Sequence, residues 1–213
     1  MMKKPLIILG AGGHAKVLIE TLQHQSANIL GITDPDPQKI GDNILGIPII
    51  GGDDLIFKHD QESIALVNGI GMVDDSQRRQ QIFYTFKNQG YRFAGAIHGS
   101  AVISPAVKLS EGVQIMAGAV IQPGCKIGTN SIINSRASID HDAIIGAHVH
   151  IASGATLSGG IKVNDGTLIG AGSTIIQGIT IGVHCIVAAG AVVIRDVPDG
   201  ATVMGVPAKV VEK

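Results

Sequence analysis

The chain has no tryptophan, and its two tyrosines and four phenylalanines all fall between Phe57 and Phe93. Everything after Phe93 is ring-free, so any core there must be built from aliphatic residues in some regular, repeated way. Charge is scarce as well. Only 15% of residues are charged, and sixteen basic against seventeen acidic side chains leave a net charge of −1. That balance argues against an electrostatic nucleic-acid binder or a polybasic membrane surface. Two cysteines, Cys125 and Cys185, are too few for a disulfide framework and lack metal-ligand spacing, so the expected setting is reducing and cytoplasmic. No apolar run approaches the ~20 residues that span a bilayer. The opening Met-Met-Lys-Lys-Pro-Leu-Ile-Ile-Leu-Gly imitates a signal peptide, but the apolar run stops at Gly13, and His14 and Lys16 follow with no cleavage pattern. What remains is 45% apolar and rich in glycine, with 29, a composition that excludes general disorder.

From Ala101 to Asp196 the chain divides into six-residue units without slipping frame: AVISPA, VKLSEG, VQIMAG and onward to AVVIRD. The third position is Ile, Leu or Val in every unit from Ile103 to Val193; the first is mostly small or β-branched, and the sixth is often Gly. A fixed period this short is a repeat architecture. Six fits neither a helix nor a simple strand alternation, so each unit is expected to be a short strand plus a corner. The third position points inward, and Gly or Asn tolerates the backbone of the corner. Three units close a triangular coil in which residues i and i+18 stack about one strand spacing, ~4.8 Å, apart. A ring does not fit between layers so close.

The first hundred residues alternate strand and helix signals. Leu6–Leu9 reads as a buried strand running into Gly10-Ala11-Gly12-Gly13-His14-Ala15, and a helix follows to His24 with Val17, Leu18, Ile19 and Leu22 as its apolar positions. Further strands are expected over 28–32, 47–50 and 64–67, a helix over 75–88, and an extended stretch over 91–97. This is the order of a parallel sheet with crossover helices, a Rossmann-like α/β domain. Gly10-x-Gly12-x-x-Ala15, with Asp34 some way beyond, fits the dinucleotide glycine fingerprint. Fewer than 100 residues precede the repeats, however, room for one mononucleotide half and not a full dinucleotide crevice. A strand, glycine loop and helix start still offer N–H groups to phosphates. A tight turn without a ligand is the plain alternative. The expected domains are 1–97, 98–196 and a C-terminal tail, 197–213.

The hexads and the ending Met204-Gly205-Val206-Pro207-Ala208-Lys209 resemble the hexapeptide-repeat acyltransferases, whose repeats form a left-handed parallel β-helix. With the preceding Gly-x-Gly-Gly-His domain, the whole chain resembles the acetyltransferases that N-acetylate nucleotide-linked amino sugars, and the sialic acid O-acetyltransferases beside them. The resemblance implies acetyl-CoA as co-substrate, a nucleotide-linked amino sugar as acceptor, a 4-amino-4,6-dideoxyhexose above all, and homotrimers with coenzyme between neighbouring β-helices. It implies no metal.

Most hexad positions are explained by packing. The main departure is Asn134-Ser135-Arg136-Ala137-Ser138-Ile139-Asp140-His141-Asp142. Acyl transfer to an amine needs a group that takes a proton as the amine attacks, and imidazole suits that role at neutral pH. The resemblance puts the base at His141 and its acidic helper at Asp142, with Asp140 as the alternative. Gly159 stacks over His141, eighteen residues on, and its N–H is expected to donate to the thioester carbonyl oxygen. His150 lies half a coil beyond His141, so the two can share a site only between subunits; the resemblance gives His150, Ala171 and Ala189 to the coenzyme. It gives Gly12, Gly13 and His14 to the phosphates, Asp34, Gly71 and Arg79 to the nucleotide pocket, and Asn134 to the sugar nucleotide. Where related proteins often carry two acids together, this chain has Asp34-Pro35-Asp36, which leaves the base open between uracil and guanine. Three other readings stand beside this one. Sugar O-acetylation needs the same base. A γ-type carbonic anhydrase would need His141, His148 and His150 to converge across subunits. A structural β-helix would bind no acetyl-CoA.

Overall fold

The computed structural model describes residues 4–72 and 77–211. Two compact units divide the chain: residues up to Gly71 with Arg78–Gly99, and Met72–Gln77 with Ser100 onward.

The first unit is built on a sheet of five strands, β1 (Leu6–Leu9), β2 (Ile29–Thr33), β3 (Asn43–Ile44), β4 (Ile47–Gly51) and β5 (Ala65–Asn68), in the order β3-β4-β2-β1-β5. All pairings are parallel except β3 with β4. That hairpin, missed by the strand pattern, turns on Leu45 and Gly46, both at positive φ (51° and 83°). Helix α1 (Gly13–His24) begins two residues earlier than its apolar spacing suggests, because Gly12 supplies the extended residue that starts it. Its buried face is Ala15, Leu18, Ile19 and Leu22, the i, i+3, i+4, i+7 spacing of one helix stripe, while Val17 is exposed. Helix α2 (Gln77–Asn88) buries Phe83 and Phe86; its expected start at residue 75 lies outside the described residues. The rings collect on one side of the sheet. Phe83 and Phe93 pack at 4.4 Å between centroids, and the Tyr91 hydroxyl donates to the Ile56 carbonyl at 2.9 Å. A buried Tyr that finds an acceptor in this way adds apolar area without an unmet polar group.

In the second unit the hexads become two-residue strands separated by corners, in three parallel sheets. The register is the eighteen-residue period: Ile121 pairs with Ile103 and Ile139, and Leu157 with Ile139 and Ile175. The third positions point inward with the first, so Ile139, Ile145, Ile151, Leu157 and Val163 share a fully aliphatic core with Ala137, Ala143, Val149 and Ala155. Between layers one strand spacing apart, this interior is filled by methyl and methylene groups, each stabilising by about 0.8 kcal/mol when buried. The architecture is the left-handed β-helix of the hexapeptide repeats.

The corners carry the sixth positions, which adopt left-handed backbone from Gly112 to Gly190. Gly does so at 118, 154 and 160, and Asn130, Arg136, Asp142, His148 and His184 do so despite their side chains. The period changes at the end. Ile181 bridges Val197 and Ile186 pairs with Thr202, so the last coil is two residues shorter than those before it. The C-terminal tail thus continues the winding through Thr202–Met204, and Lys209–Val210 folds back antiparallel on it.

Candidate active site

The strand Ser138–Ile139 ends in a corner of three polar residues. Asp140 accepts the His141 backbone N–H at 2.7 Å, fixing the turn, and Asp142 donates its own N–H to the Pro123 carbonyl of the coil below at 3.0 Å. Asp142 takes the left-handed conformation (φ 59°), tolerated by Asp better than by most residues. Its carboxylate Oδ2 thereby meets His141 Nδ1 at 2.9 Å. Nδ1–H donates to that carboxylate, which leaves the Nε2 lone pair directed away from it. The hydrogen bond that His141 donates to Asp142 and the charge of Asp140 raise the His141 pKa above its ordinary 6.5.

On the other side of the ring stands the coil above. A Cβ built on Gly159 would lie 2.6 Å from His141 Nε2, so the imidazole occupies the space that any other residue at 159 would fill. Gly160 donates to the His141 carbonyl at 2.8 Å and Gly159 accepts from Gly178 at 3.0 Å. Two other corner N–H groups in this unit, those of Ala147 and Val183, are capped by Asp165 and Asp199 side chains at 2.8 and 2.9 Å. Among the described residues no such cap covers the Gly159 N–H.

A base must be unprotonated to act, so a pKa raised by Asp142 has a signed consequence. Activity should rise with pH through a midpoint above 6.5, and Asp142→Asn should move that midpoint down, since Asn keeps the left-handed corner but loses the anion. The pH profile of kcat tests this; an unmoved midpoint would assign the shift to Asp140.

His150 and Asn134 are also brought together. His150 Nδ1–H donates to the Met72 carbonyl at 2.8 Å, and its Nε2 accepts from the Asn134 amide at 3.2 Å. The ring is buried, with both nitrogens engaged inside its own chain, and nothing in the hexad period signals that Met72 supplies a partner. Ala171 and Ala189 stack on each other, the Gly190 N–H meeting the Ala171 carbonyl at 2.8 Å, at a different corner from His141. His148 is buried with Nδ1 against the Asn130 amide at 2.9 Å. Among the described residues no group of three or more His, Cys, Asp or Glu side chains is arranged to hold a metal ion.

In the first unit, the glycine loop lies at the C-terminal ends of β1 and β2. Gly12 and Gly13 have open space where a Cβ would stand, whereas a Cβ on Gly69 would strike the Leu9 and Gly10 carbonyls at 2.7 and 2.9 Å. The loop after β5 therefore lies directly against the glycine loop, and Gly71 faces His14, its Cβ position 3.4 Å from that of His14. Asp34 is buried and holds the loop from below: it accepts from the Ala11 and Asp36 N–H groups at 2.9 and 3.0 Å and pairs with Lys39 at 3.1 Å. Burial pushes its pKa up, but these donors outweigh that and hold it below the ordinary value. Lys39, in the turn Pro37–Lys39, is a basic neighbour of the loop that sequence patterns did not single out. Arg79 is turned into the protein. It donates to the carbonyls of Asn68 and Ile70 at 3.0 and 2.5 Å, and burial pushes its pKa down to about 9. Both charged residues fix loops, a role that motif spacing alone cannot distinguish from direct contact with a nucleotide.

The same two-part organisation recurs in known proteins. Residues 5–86 match the family described as the PglD N-terminal domain, and residues 106–140 the bacterial transferase hexapeptide of six repeats. A mutant of perosamine N-acetyltransferase from Caulobacter crescentus, solved with CoA and GDP-perosamine, is 38% identical over 98% of this chain and 97% of that one, with a TM-score of 0.91. The chain belongs to the hexapeptide-repeat sugar acyltransferases. The acetyltransferase domain of PglB from Neisseria gonorrhoeae, solved with acetyl coenzyme A, is 33% identical over 99% of this chain and all of that one, at a TM-score of 0.90. WeeI from Acinetobacter baumannii is 26% identical over 98% of this chain and all of its own, at 0.87. A comparison with curated proteins found no match. As a member of this family the chain is an acetyltransferase. No helix among its described residues is long and apolar enough to cross a membrane.

Proposed function

We propose that this acetyltransferase moves the acetyl group of acetyl-CoA to the amino group of a nucleotide-linked amino sugar, a 4-amino-4,6-dideoxyhexose. One observation carries the reading: an imidazole oriented by a carboxylate lies beside an uncapped backbone N–H, His141 with Asp142 against Gly159. The sugar amine attacks the thioester carbonyl carbon as His141 Nε2 takes its proton. Asp142 stabilises the imidazolium, and the Gly159 N–H receives the developing oxyanion. Collapse of the tetrahedral intermediate breaks the carbon–sulfur bond, and the imidazolium returns the proton to the CoA thiolate. Amide and free thiol are the products, with no covalent enzyme intermediate. Cys125 and Cys185 do not compete for that role, since both are buried in the prism and burial raises their pKa values.

In this reading Gly12, Gly13 and His14 take the nucleotide phosphates at the start of α1. Gly71 lines the same pocket, Asp34 and Arg79 act by holding the two loops, and Asn134 touches the sugar. His150, Ala171 and Ala189 line the coenzyme, supplied by a neighbouring protomer of a homotrimer in the cytoplasm. The 38% identical relative was solved with GDP-perosamine, which makes a GDP-linked 4-amino sugar the first acceptor to try. Thiol release from acetyl-CoA over UDP-, GDP- and CMP-linked sugars tests the proposal. Turnover is expected with an amino sugar and not with its hydroxyl analogue. Saturable turnover with the hydroxyl analogue alone would instead make the enzyme an O-acetyltransferase.

A further inference from the structure

The His141–Asp142 pair is flanked by glycine on both sides. Gly159 makes room for the imidazole, and one coil below, Gly124 stands under Asp142. We propose that Gly124 is a positioning residue of the active site: the side chain it lacks is the space in which the Asp142 carboxylate lies while it orients His141. This rests on the reading of His141 as the base.

A Cβ on Gly124 would sit 2.3 Å from Asp142 Oδ1 and 3.3 Å from its Cγ. Non-bonded atoms of this size sit best at ~3.5–4.0 Å, so the carboxylate would have to swing aside. The Asp142 backbone has no freedom to accommodate it, since its N–H is held by Pro123 and its φ is already left-handed. The carboxylate is short and rigid. Moving Oδ1 off residue 124 carries Oδ2 away from His141 Nδ1, the 2.9 Å contact that fixes the ring. The strain therefore falls on the pair, while the aliphatic core is untouched. Gly154 shows the contrast. It has the same left-handed corner backbone (φ 70°, against 82° at Gly124), yet a Cβ there meets nothing within 4 Å. Titrating groups near the ring come from its own corner, Asp140 and Asp142. Residues 122–124 below and 158–160 above carry none.

The test uses Gly124→Ala and Gly124→Asn, the second because Asn adds a Cβ yet accepts the left-handed conformation, as Asn130 does at the equivalent corner position. Gly154→Ala controls for backbone strain. Both Gly124 variants are expected to lower kcat about tenfold, the scale on which members of one hydrogen-bond network couple, and to lower the His141 pKa followed by NMR. In the Asp142→Ala background the Gly124 substitutions should cost nothing further. Gly154→Ala should keep kcat within about twofold, as expected for a site with no shared partner. Additive losses in the double variant, or an unchanged His141 titration in a folded Gly124→Asn protein, would overturn the proposal. Failure of the base assignment is distinguishable: full turnover in a His141 variant would refute that reading, while the titration still reports on Gly124.

Discussion

Turnover of the His141→Ala variant is expected to fall by at least ~10²-fold in kcat, the ordinary scale of general-base catalysis. The expectation follows from position as much as from residue type. The ring lies in an exposed corner, its Nδ1 committed to Asp142, so Nε2 is the nitrogen left to accept a proton. Alanine removes the acceptor without touching the core, because the residues that pack the coil here are Ile139, Ala143 and Ile145. KM for acetyl-CoA should change much less than kcat, since the proton is transferred as the bond forms. Steady-state thiol release, with melting temperature as the control for folding, decides the matter. Wild-type turnover in a folded variant would remove His141 from the mechanism.

Gly159→Ala should come close to the same loss, about 10²-fold in kcat, for a different reason. Gly159 is not among the positive-φ glycines, so alanine fits its backbone without strain. Its methyl would, however, lie 2.6 Å from His141 Nε2 and 2.7 Å from Cε1. The ring is exposed, so it can swing outward at the expense of its Asp142 hydrogen bond, and the fold survives while the base leaves its place. A shift of about 1 Å at the reacting centre is enough for a loss of order 10². The new methyl also crowds the N–H proposed to receive the oxyanion. An unaltered melting temperature together with a crystal structure showing the displaced imidazole would complete the argument. A variant as active as the wild type would show that the ring does not lie over Gly159 when the reaction occurs.

Much of the second unit is legible from its period. The third-position column Ile121, Ile139, Leu157, Ile175 can be written down before any coordinate is known, and so can the pairing of His141 with Gly159. Periodicity works here because each layer repeats the one beneath it at a fixed spacing, so sequence separation is a distance. It fails where a contact comes from outside the repeat. Met72 meets His150 from 78 residues away, and no spacing rule reaches that far. The shortened last coil was hidden for a related reason: the hexads simply stop at Asp196, and only the pairing of Ile186 with Thr202 shows that winding continues. In the first unit the helix stripes and parallel strands are legible, but Asp34 and Arg79 are not. A carboxylate that clamps Ala11 and one that faces a ribose have the same motif spacing, and only the hydrogen bonds tell them apart. Gly124 lay in plain sight as a common sixth-position glycine, and its significance needed the Asp142 side chain to be placed above it.

The short last coil and the fold-back at Lys209–Val210 also bear on solubility. A stack of parallel coils ends in rows of open N–H and C=O groups, and a regular end is a template on which another copy's coil could continue indefinitely. Here the eighteen-residue register is broken before the end is reached, and the final strand runs in the opposite direction, with Lys209 on it. The change does not reach every sheet: Val192–Val193 still pairs with Thr174–Ile175 at the eighteen-residue spacing. In the sheet of Ile186–Val187 the eighteen-residue register thus gives way to an antiparallel pair, a different edge from the one the repeats below it would present.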